Sequence, residues 1–140
     1  MAEECTTPDP VELTRQHYEA ADRRDFDALM SVYGPDPVWD TSAMGLGIYE
    51  DPATIRRFFE DWIGRYEEWQ IEPDEILDLG GGVVFVVVSQ NARPAGSTGY
   101  VQWRYAAVYV WVGSELARIT NYTDIEEGRA AGERLAEDSN

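Results

Sequence analysis

Six consecutive apolar residues, Val83-Val84-Phe85-Val86-Val87-Val88, indicate what kind of fold this chain adopts. β-Branched and aromatic residues favour strands, and a run without polar alternation predicts a strand that is buried on both faces. We expect this strand to span residues 83–93, because Gly80-Gly81-Gly82 forms a turn before it and residues 94–99 form a loop after it.

Strand-like spacing continues on both sides of this stretch. The further predicted strands are residues 68–79, 100–112 and 115–122. Gly113-Ser114 makes a tight turn between the last two, and none of the three connections is long enough for a crossover helix. The second half of the chain is therefore predicted to be an antiparallel meander of four strands.

The first half of the chain has helical spacing instead. Asp9-Pro10 and Asp51-Pro52 each place an N-cap residue before a proline at the first helical position. The first of these helices is predicted over residues 10–23. The second has a broad apolar face formed by Ile55, Phe58, Phe59, Trp62, Ile63 and Tyr66.

Shorter elements complete the prediction. Asp25 caps a short helix that is ended by Gly34-Pro35 and has an apolar face of Phe26, Leu29, Met30 and Tyr33. Asp36-Pro37 forces an extended segment over residues 38–41, and residues 42–49 are a predicted loop. Asp124 is a plausible cap for a short amphipathic helix at residues 125–137.

Neither face of the predicted strand 100–112 is polar. Its odd positions include Trp103, Tyr105 and Tyr109, and its even positions include Val108 and Val110. If helices cover one face of the meander, the other apolar face needs a second contact surface. We therefore predict a homodimer that forms through the sheet.

Length and charge limit the classes of function. The 140 residues fit a single domain over residues 1–140, with an ordered core of about residues 10–135. A net charge of −16 opposes binding to nucleic acid and to anionic membranes, and no apolar run approaches the length of a membrane span. We expect a cytoplasmic protein in which the lone Cys5 lies in a frayed terminus and has no catalytic role.

The order of elements resembles the nuclear transport factor 2-like (NTF2-like) superfamily, which includes ketosteroid isomerases, limonene epoxide hydrolases and SnoaL-type polyketide cyclases. The resemblance is carried by residues 17–21 with 25–29, 38–40, 104–109 and 119–124. It implies an α+β cone, in which a curved antiparallel meander packs against three helices from the N-terminal half, with a short C-terminal helix.

The resemblance also implies roles for single residues. Asp40 falls where ketosteroid isomerases keep the carboxylate that moves a proton, and in an aromatic cone burial would raise its pKa. The two acids that hold the substrate oxygen in those enzymes fall at His17, beside Tyr18, and at Ala107. Alanine has no proton to donate, so steroid isomerase activity is not expected. The relay of the epoxide hydrolases does not fit Arg104, which strand alternation turns away from the predicted cavity.

Asp40 and His17 are thus the candidate catalytic residues. Alternatives stay open for both, because an Asp at a strand end often caps the following loop and a lone His is often a satisfied core residue. The predicted substrate-binding wall consists of Tyr18, Trp39, Phe58, Trp62, Trp103, Tyr105, Tyr109 and Asn121. No metal site is expected, since His17 is the only histidine and no carboxylate cluster accompanies it.

The resulting hypothesis is a SnoaL-like enzyme that performs acid–base chemistry, without a cofactor, on a hydrophobic, ring-containing small molecule in an aromatic cavity. The reaction would be an isomerisation, a cyclisation or a hydrolysis. Two alternatives belong to other classes. The same cone could bind an apolar ligand without catalysis, or the chain could act as an interaction protein through its dimer.

Overall fold

A six-stranded sheet forms the centre of the chain, of which the computed structural model describes residues 9–138. Cys5 lies outside the described residues. The helices are α1 (Pro10–Arg23), α2 (Phe26–Met30), α3 (Pro52–Ile63) and α4 (Ile125–Asp138). The strands are β1 (Tyr33–Asp40), β2 (Ile48–Glu50), β3 (Tyr66–Gly80), β4 (Val83–Pro94), β5 (Val101–Val112) and β6 (Glu115–Tyr122). A 3-10 turn, Ser42–Met44, follows β1.

The strands lie in the order β2-β1-β6-β5-β4-β3. The pairs β3–β4, β4–β5 and β5–β6 are antiparallel, which confirms the predicted meander. β1 adds to this meander by pairing in parallel with β6, and β2 pairs with β1 as the opposite edge. The ladder of β3 and β4 is interrupted near Pro73 and near Asp78, and such irregularities bend and twist a sheet. The result is the curved α+β cone that the resemblance implied.

Two local predictions were wrong. The sequence placed Tyr33 on the second helix with Gly34-Pro35 at its end, but α2 ends at Met30 and all three residues belong to β1. Pro35 is tolerated there because the ladder with β6 is irregular between Tyr33 and Val38, where no regular N–H donor is needed. The predicted loop 42–49 also contains the start of β2, a three-residue edge strand ordered by its pairing with β1.

The inner face of the sheet carries Trp39, Val84, Val86, Tyr109 and Ile119, and the apolar faces of α1 and α3 cover it. Tyr18, Ala21, Ile55, Phe59 and Ile63 supply the buried helix residues of this core. Their spacing is the helical spacing seen in the sequence, and burial of the apolar face is the main source of stability for such helices.

Polar contacts fix where α1 crosses this face. The Trp111 indole N–H donates to Thr14 Oγ1 (2.9 Å) near the start of α1, and the Trp69 indole N–H donates to the Ala21 carbonyl (3.1 Å) near its end. The Asp22 carboxylate also accepts the backbone N–H of Ile71 at the edge of the sheet (2.9 Å). These bonds place the middle of α1, which carries His17, over the inner face.

The outer face carries Phe85, Val87, Ala106 and Val108, and α4 covers it. Asp124 caps this helix as predicted, because its carboxylate accepts the N–H of Glu127 (3.0 Å). The middle of the apolar outer face that led us to predict a dimer is therefore buried by α4, whereas Val112 at the end of β5 is 66% exposed. The homodimer stays a prediction.

Two glycines let α4 lie close to the sheet. A Cβ atom at Gly128 would come within 3.0 Å of the Ala106 Cβ and 3.2 Å of the Tyr122 ring. A Cβ atom at Gly132 would come within 2.9 Å of a terminal methyl of Leu79, which can rotate away. The two positions therefore differ in how much the neighbouring side chains can yield.

We expect Gly128→Ala to destabilise the fold by about 1 to 2 kcal/mol, because the close contact outweighs the gain in helix propensity. Gly132→Ala, the matched control on the same helix, should be neutral or stabilising by up to about 1 kcal/mol. Urea unfolding of both variants and the parent measures the difference. A larger loss for Gly132→Ala than for Gly128→Ala would contradict this account of helix docking.

Candidate functional site

His17 lies on α1, faces the inner core and is 4% exposed. Its Nδ1 lies 2.9 Å from the Tyr109 hydroxyl and its Nε2 lies 3.0 Å from the Tyr33 hydroxyl. Burial lowers the pKa of His17 to about 3. The imidazole is therefore neutral at pH 7, so that one ring nitrogen donates a hydrogen bond and the other accepts one.

Tyrosine hydroxyls extend this network. The Tyr18 ring packs against the Tyr109 ring at a centroid distance of 5.7 Å, so that Tyr18 adjoins the hydrogen-bonded series Tyr33, His17 and Tyr109. Burial raises the pKa of Tyr18, Tyr33 and Tyr109 well above that of a free tyrosine. All three hydroxyls keep their protons at neutral pH and are available as hydrogen-bond donors.

Around this network lies the inner chamber, a cavity of about 20 Å³. Its lining consists of His17, Tyr18, Ala21, Trp39, Phe59, Trp62, Ile63, Trp69, Ile71, Tyr105, Tyr109, Ile119 and Asn121. The rings fill most of the cone, as in the stacked pair Trp39 and Phe59, whose centroids are 4.3 Å apart. A cavity of this volume has room for about one water molecule. A ring-containing ligand needs these side chains to move.

Asp40 lies on the other side of β1. Strand alternation turns Trp39 into the core and Asp40 towards the outer face, where it pairs with Arg118 at 3.2 Å. Asp40 also accepts hydrogen bonds from the backbone N–H and the hydroxyl of Ser42. The side-chain bond from Ser42 is the main cause of a lowered pKa at Asp40.

The expectation that burial raises the pKa of Asp40 was therefore wrong. The carboxylate caps the turn after β1, which was the structural alternative for this residue. The structure does not bring Asp40 and His17 into one cavity, since Asp40 is absent from the chamber lining. The ionisable residues of the chamber lining are His17, Tyr18, Tyr105 and Tyr109.

A second cavity opens next to the chamber. This mouth groove has a volume of about 370 Å³ and is lined by Met44, Leu46, Trp62, Gln90, Trp103, Arg104, Tyr105 and Thr123. Trp62 and Tyr105 line both the groove and the chamber, so their rings form the boundary between them. Asn121 Nδ2, on the chamber side, contacts the Met44 sulfur on the groove side at 3.8 Å.

Seven of the eight predicted wall residues line these two cavities. Tyr18, Trp39, Tyr109 and Asn121 line the chamber, and Trp103 lines the groove. Phe58 lies behind the chamber, where its ring packs against Trp39 at 5.0 Å and Tyr49 at 4.4 Å.

Tyr33, which bonds His17, and Gln90, which lines the mouth groove, were not among the predicted site residues. The network role of Tyr33 was hidden by its assignment to a helix. Gln90 has the same strand parity as Val84, Val86 and Val88, so alternation places it on the buried face. A polar residue at such a position was a signal that could have been used.

Residues 9–138 contain neither a cluster of metal ligands nor a membrane-spanning helix. No group of three or more His, Cys, Asp or Glu side chains in this range is arranged to hold a metal ion. None of the described helices is long and apolar enough to span a bilayer.

The neutral state of His17 predicts a dependence of stability on pH. The unfolded chain binds a proton at this imidazole near pH 6.5, whereas the folded chain binds it only near pH 3. Folding stability should therefore fall as the pH drops through this range, by about 2 kcal/mol between pH 7 and pH 5 from this residue alone. Urea unfolding of the parent and of His17→Gln at both pH values measures this effect. Between pH 7 and pH 5 the parent should lose about 2 kcal/mol more stability than the variant. Equal losses in the two proteins would contradict a buried neutral histidine.

Comparison with known proteins agrees with the geometry. The family model described as a SnoaL-like domain matches residues 14–119. None of the curated proteins matches the sequence. An NTF2-like protein of unknown function from Burkholderia pseudomallei superposes with a TM-score of 0.70 at 20% identity, covering 84% of this chain and 92% of that one.

Two further proteins of similar structure are described by an enzymatic activity. A SnoaL-like polyketide cyclase from Shewanella denitrificans, so described provisionally, has a TM-score of 0.69 at 12% identity and covers 90% of this chain and 97% of its own. An LEH-like epoxide hydrolase from M. tuberculosis has a TM-score of 0.71 at 15% identity and covers 96% of this chain and 98% of its own. At these identities the likeness shows a shared fold. Together with the family match over most of its length, it shows that this chain belongs to the SnoaL-like domain family of the NTF2-like superfamily.

Proposed function

We propose that this protein is a SnoaL-like enzyme that performs acid–base chemistry, without a cofactor, on an apolar, ring-containing small molecule. The observation that carries the proposal is the buried neutral His17, held between two tyrosine hydroxyls in an aromatic chamber. Relatives of the same fold described as a polyketide cyclase and an epoxide hydrolase support a small-molecule reaction. The proposed reaction class is proton transfer next to a carbonyl group.

The residues of the network have distinct roles in this proposal. A tyrosine hydroxyl of Tyr18 or Tyr109 donates a hydrogen bond to the substrate oxygen, and the His17 imidazole takes a proton from the adjacent carbon. Tyrosine thus supplies the donor that Ala107 lacks. The pKa of His17 is low while the chamber is closed, because the imidazole is buried. A developing enolate beside the ring would stabilise the imidazolium and raise that pKa.

Access to the network leads through the mouth groove. Its volume of about 370 Å³ lies within the range of small-molecule sites, which starts at roughly 300 Å³. Trp62 and Tyr105 separate it from the chamber, and Met44 is a flexible side chain at the same boundary. In this proposal the substrate ring binds in the groove, and displacement of Trp62 connects it to His17.

A non-catalytic binding protein is the second candidate. Two observations favour it: both nitrogens of His17 already have hydrogen-bond partners, and the chamber has room for only one water molecule. In that case the network stabilises the core, and the mouth groove holds an apolar ligand without any reaction.

Solvent deuterium exchange at the α-carbon of 2-tetralone, a bicyclic aromatic ketone, separates the two candidates. NMR should show faster exchange with the parent protein than without protein. In His17→Gln we expect the acceleration to be at least about tenfold smaller, because one acid–base group typically contributes a factor of about a hundred or more. Asp40→Asn, a matched control on the outer face, should keep it.

The outcomes exclude one candidate or the other. Binding of 2-tetralone without any accelerated exchange would favour the binding protein. Exchange that persists in a folded His17→Gln variant would show that the imidazole is not the proton-transfer group.

A further inference from the structure

Gln90 is a buried polar residue that the proposed chemistry does not use. It lies on the inner face of β4 and is 2% exposed. Neither its side-chain nitrogen nor its side-chain oxygen has a hydrogen-bond partner among the described residues. Buried side-chain amides are nearly always paired in native proteins, so an amide with both polar atoms unpaired calls for a partner from outside the chain.

The surroundings of Gln90 explain why it has no partner. Along β4, its neighbours on the same face are Val88 and Ala92. Across the ladders, it is paired with Ile71 on β3 and Trp103 on β5. None of these four neighbours hydrogen bonds the amide, and neither do the polar side chains of Asp22 and Asn91, which line a pocket together with Gln90. The amide atoms are buried, and in such a setting an added hydrogen bond is strong.

Gln90 borders the mouth groove, together with the rings of Trp62, Trp103 and Tyr105. Aromatic walls favour a flat ring, and a side-chain amide presents one acceptor and one donor side by side. We propose that Gln90 is the specificity residue of the mouth groove, which takes a flat apolar ring whose edge carries a neighbouring donor and acceptor, as in a lactam or a carboxamide. This inference rests on the proposed use of the groove as a ligand site, and not on the acid–base step.

The charges around the groove favour a neutral ligand. Arg104, the cation of its lining, is paired with Asp74 at 3.2 Å. The chain as a whole carries a net charge of −16, which repels carboxylates. A lactam edge forms two hydrogen bonds with the Gln90 amide and requires no counter-charge.

The ligand reaches the amide by displacing Trp103. This side chain is half-buried, and its ring contacts Tyr66 edge-on at a centroid distance of 6.2 Å. Trp62, at the chamber boundary, packs by comparison against three rings, those of Trp39, Phe58 and Trp69. Displacement of Trp103 thus loses less aromatic contact than displacement of Trp62.

Two compounds of nearly the same shape test this inference. 2-Quinolone presents an N–H donor beside its carbonyl, and coumarin has a ring oxygen in place of that N–H. Calorimetric titration of the parent protein should give an affinity for 2-quinolone at least about tenfold higher than that for coumarin, because coumarin leaves the Gln90 oxygen unpaired.

Gln90→Met should abolish this preference and bind both compounds alike, since methionine keeps the length of the side chain and has no amide. Gln70→Met, a matched control at an exposed position of β3, should keep it. The parent protein tests the inference even without the variants. Equal affinities for the two compounds, binding of neither at about 1 mM, or a preference that survives in Gln90→Met would each overturn it.

Failure of this inference differs from failure of the proposed function. If exchange of 2-tetralone depends on His17 while 2-quinolone and coumarin bind alike, the role of Gln90 is wrong and the acid–base chemistry stands. If Gln90 sets the lactam preference while 2-tetralone exchange is not accelerated, the acid–base step is wrong and the groove is a binding site.

Discussion

The hydrogen bonds between α1 and the sheet are the constraint on which the rest of the site depends. Apolar packing holds a helix on a sheet but does not by itself select one position, because it is not directional. Trp111 and Trp69 bind α1 near its two ends, and Tyr109 binds His17 between them. These bonds form inside a core of low dielectric, where losing one partner is costly. The position of the imidazole thus follows from contacts that also secure the fold.

This arrangement places stability and ligand binding in opposition. The rings of the inner chamber bury most of the space that a ligand would occupy, and close packing of this kind stabilises the core. Gln90 has the opposite effect, since an unpaired buried amide costs about 1 to 3 kcal/mol. The two features lie on either side of Trp62 and Tyr105. In the proposed use of the groove, a ligand therefore forms hydrogen bonds with the Gln90 amide before any ring of the chamber has to move.

Strand alternation explains most of the difference between the predicted and the observed site. Trp39 and Asp40 were both predicted as site residues, but adjacent residues of a strand point to opposite faces. Trp39 went to the core because its large apolar surface gains more from burial, and Asp40 formed an ion pair with Arg118 on β6. The two residues of that pair lie 78 positions apart in the chain, so no local sequence pattern predicts their contact. The same parity argument, applied to β4, would have identified Gln90.

The sequence by itself determined the main helices, the strands of the meander and their order, because local spacing carries that information. The Asp-Pro pairs at the starts of α1 and α3, the helical spacing of α1 and the valine run of β4 each predicted an element that the structure contains. Only the tertiary structure decided three other features: the parallel pairing of β1 with β6, the burial of the outer face by α4, and the volume left inside the cone. These depend on contacts between distant segments and on how side chains share one space, which spacing along the chain does not encode.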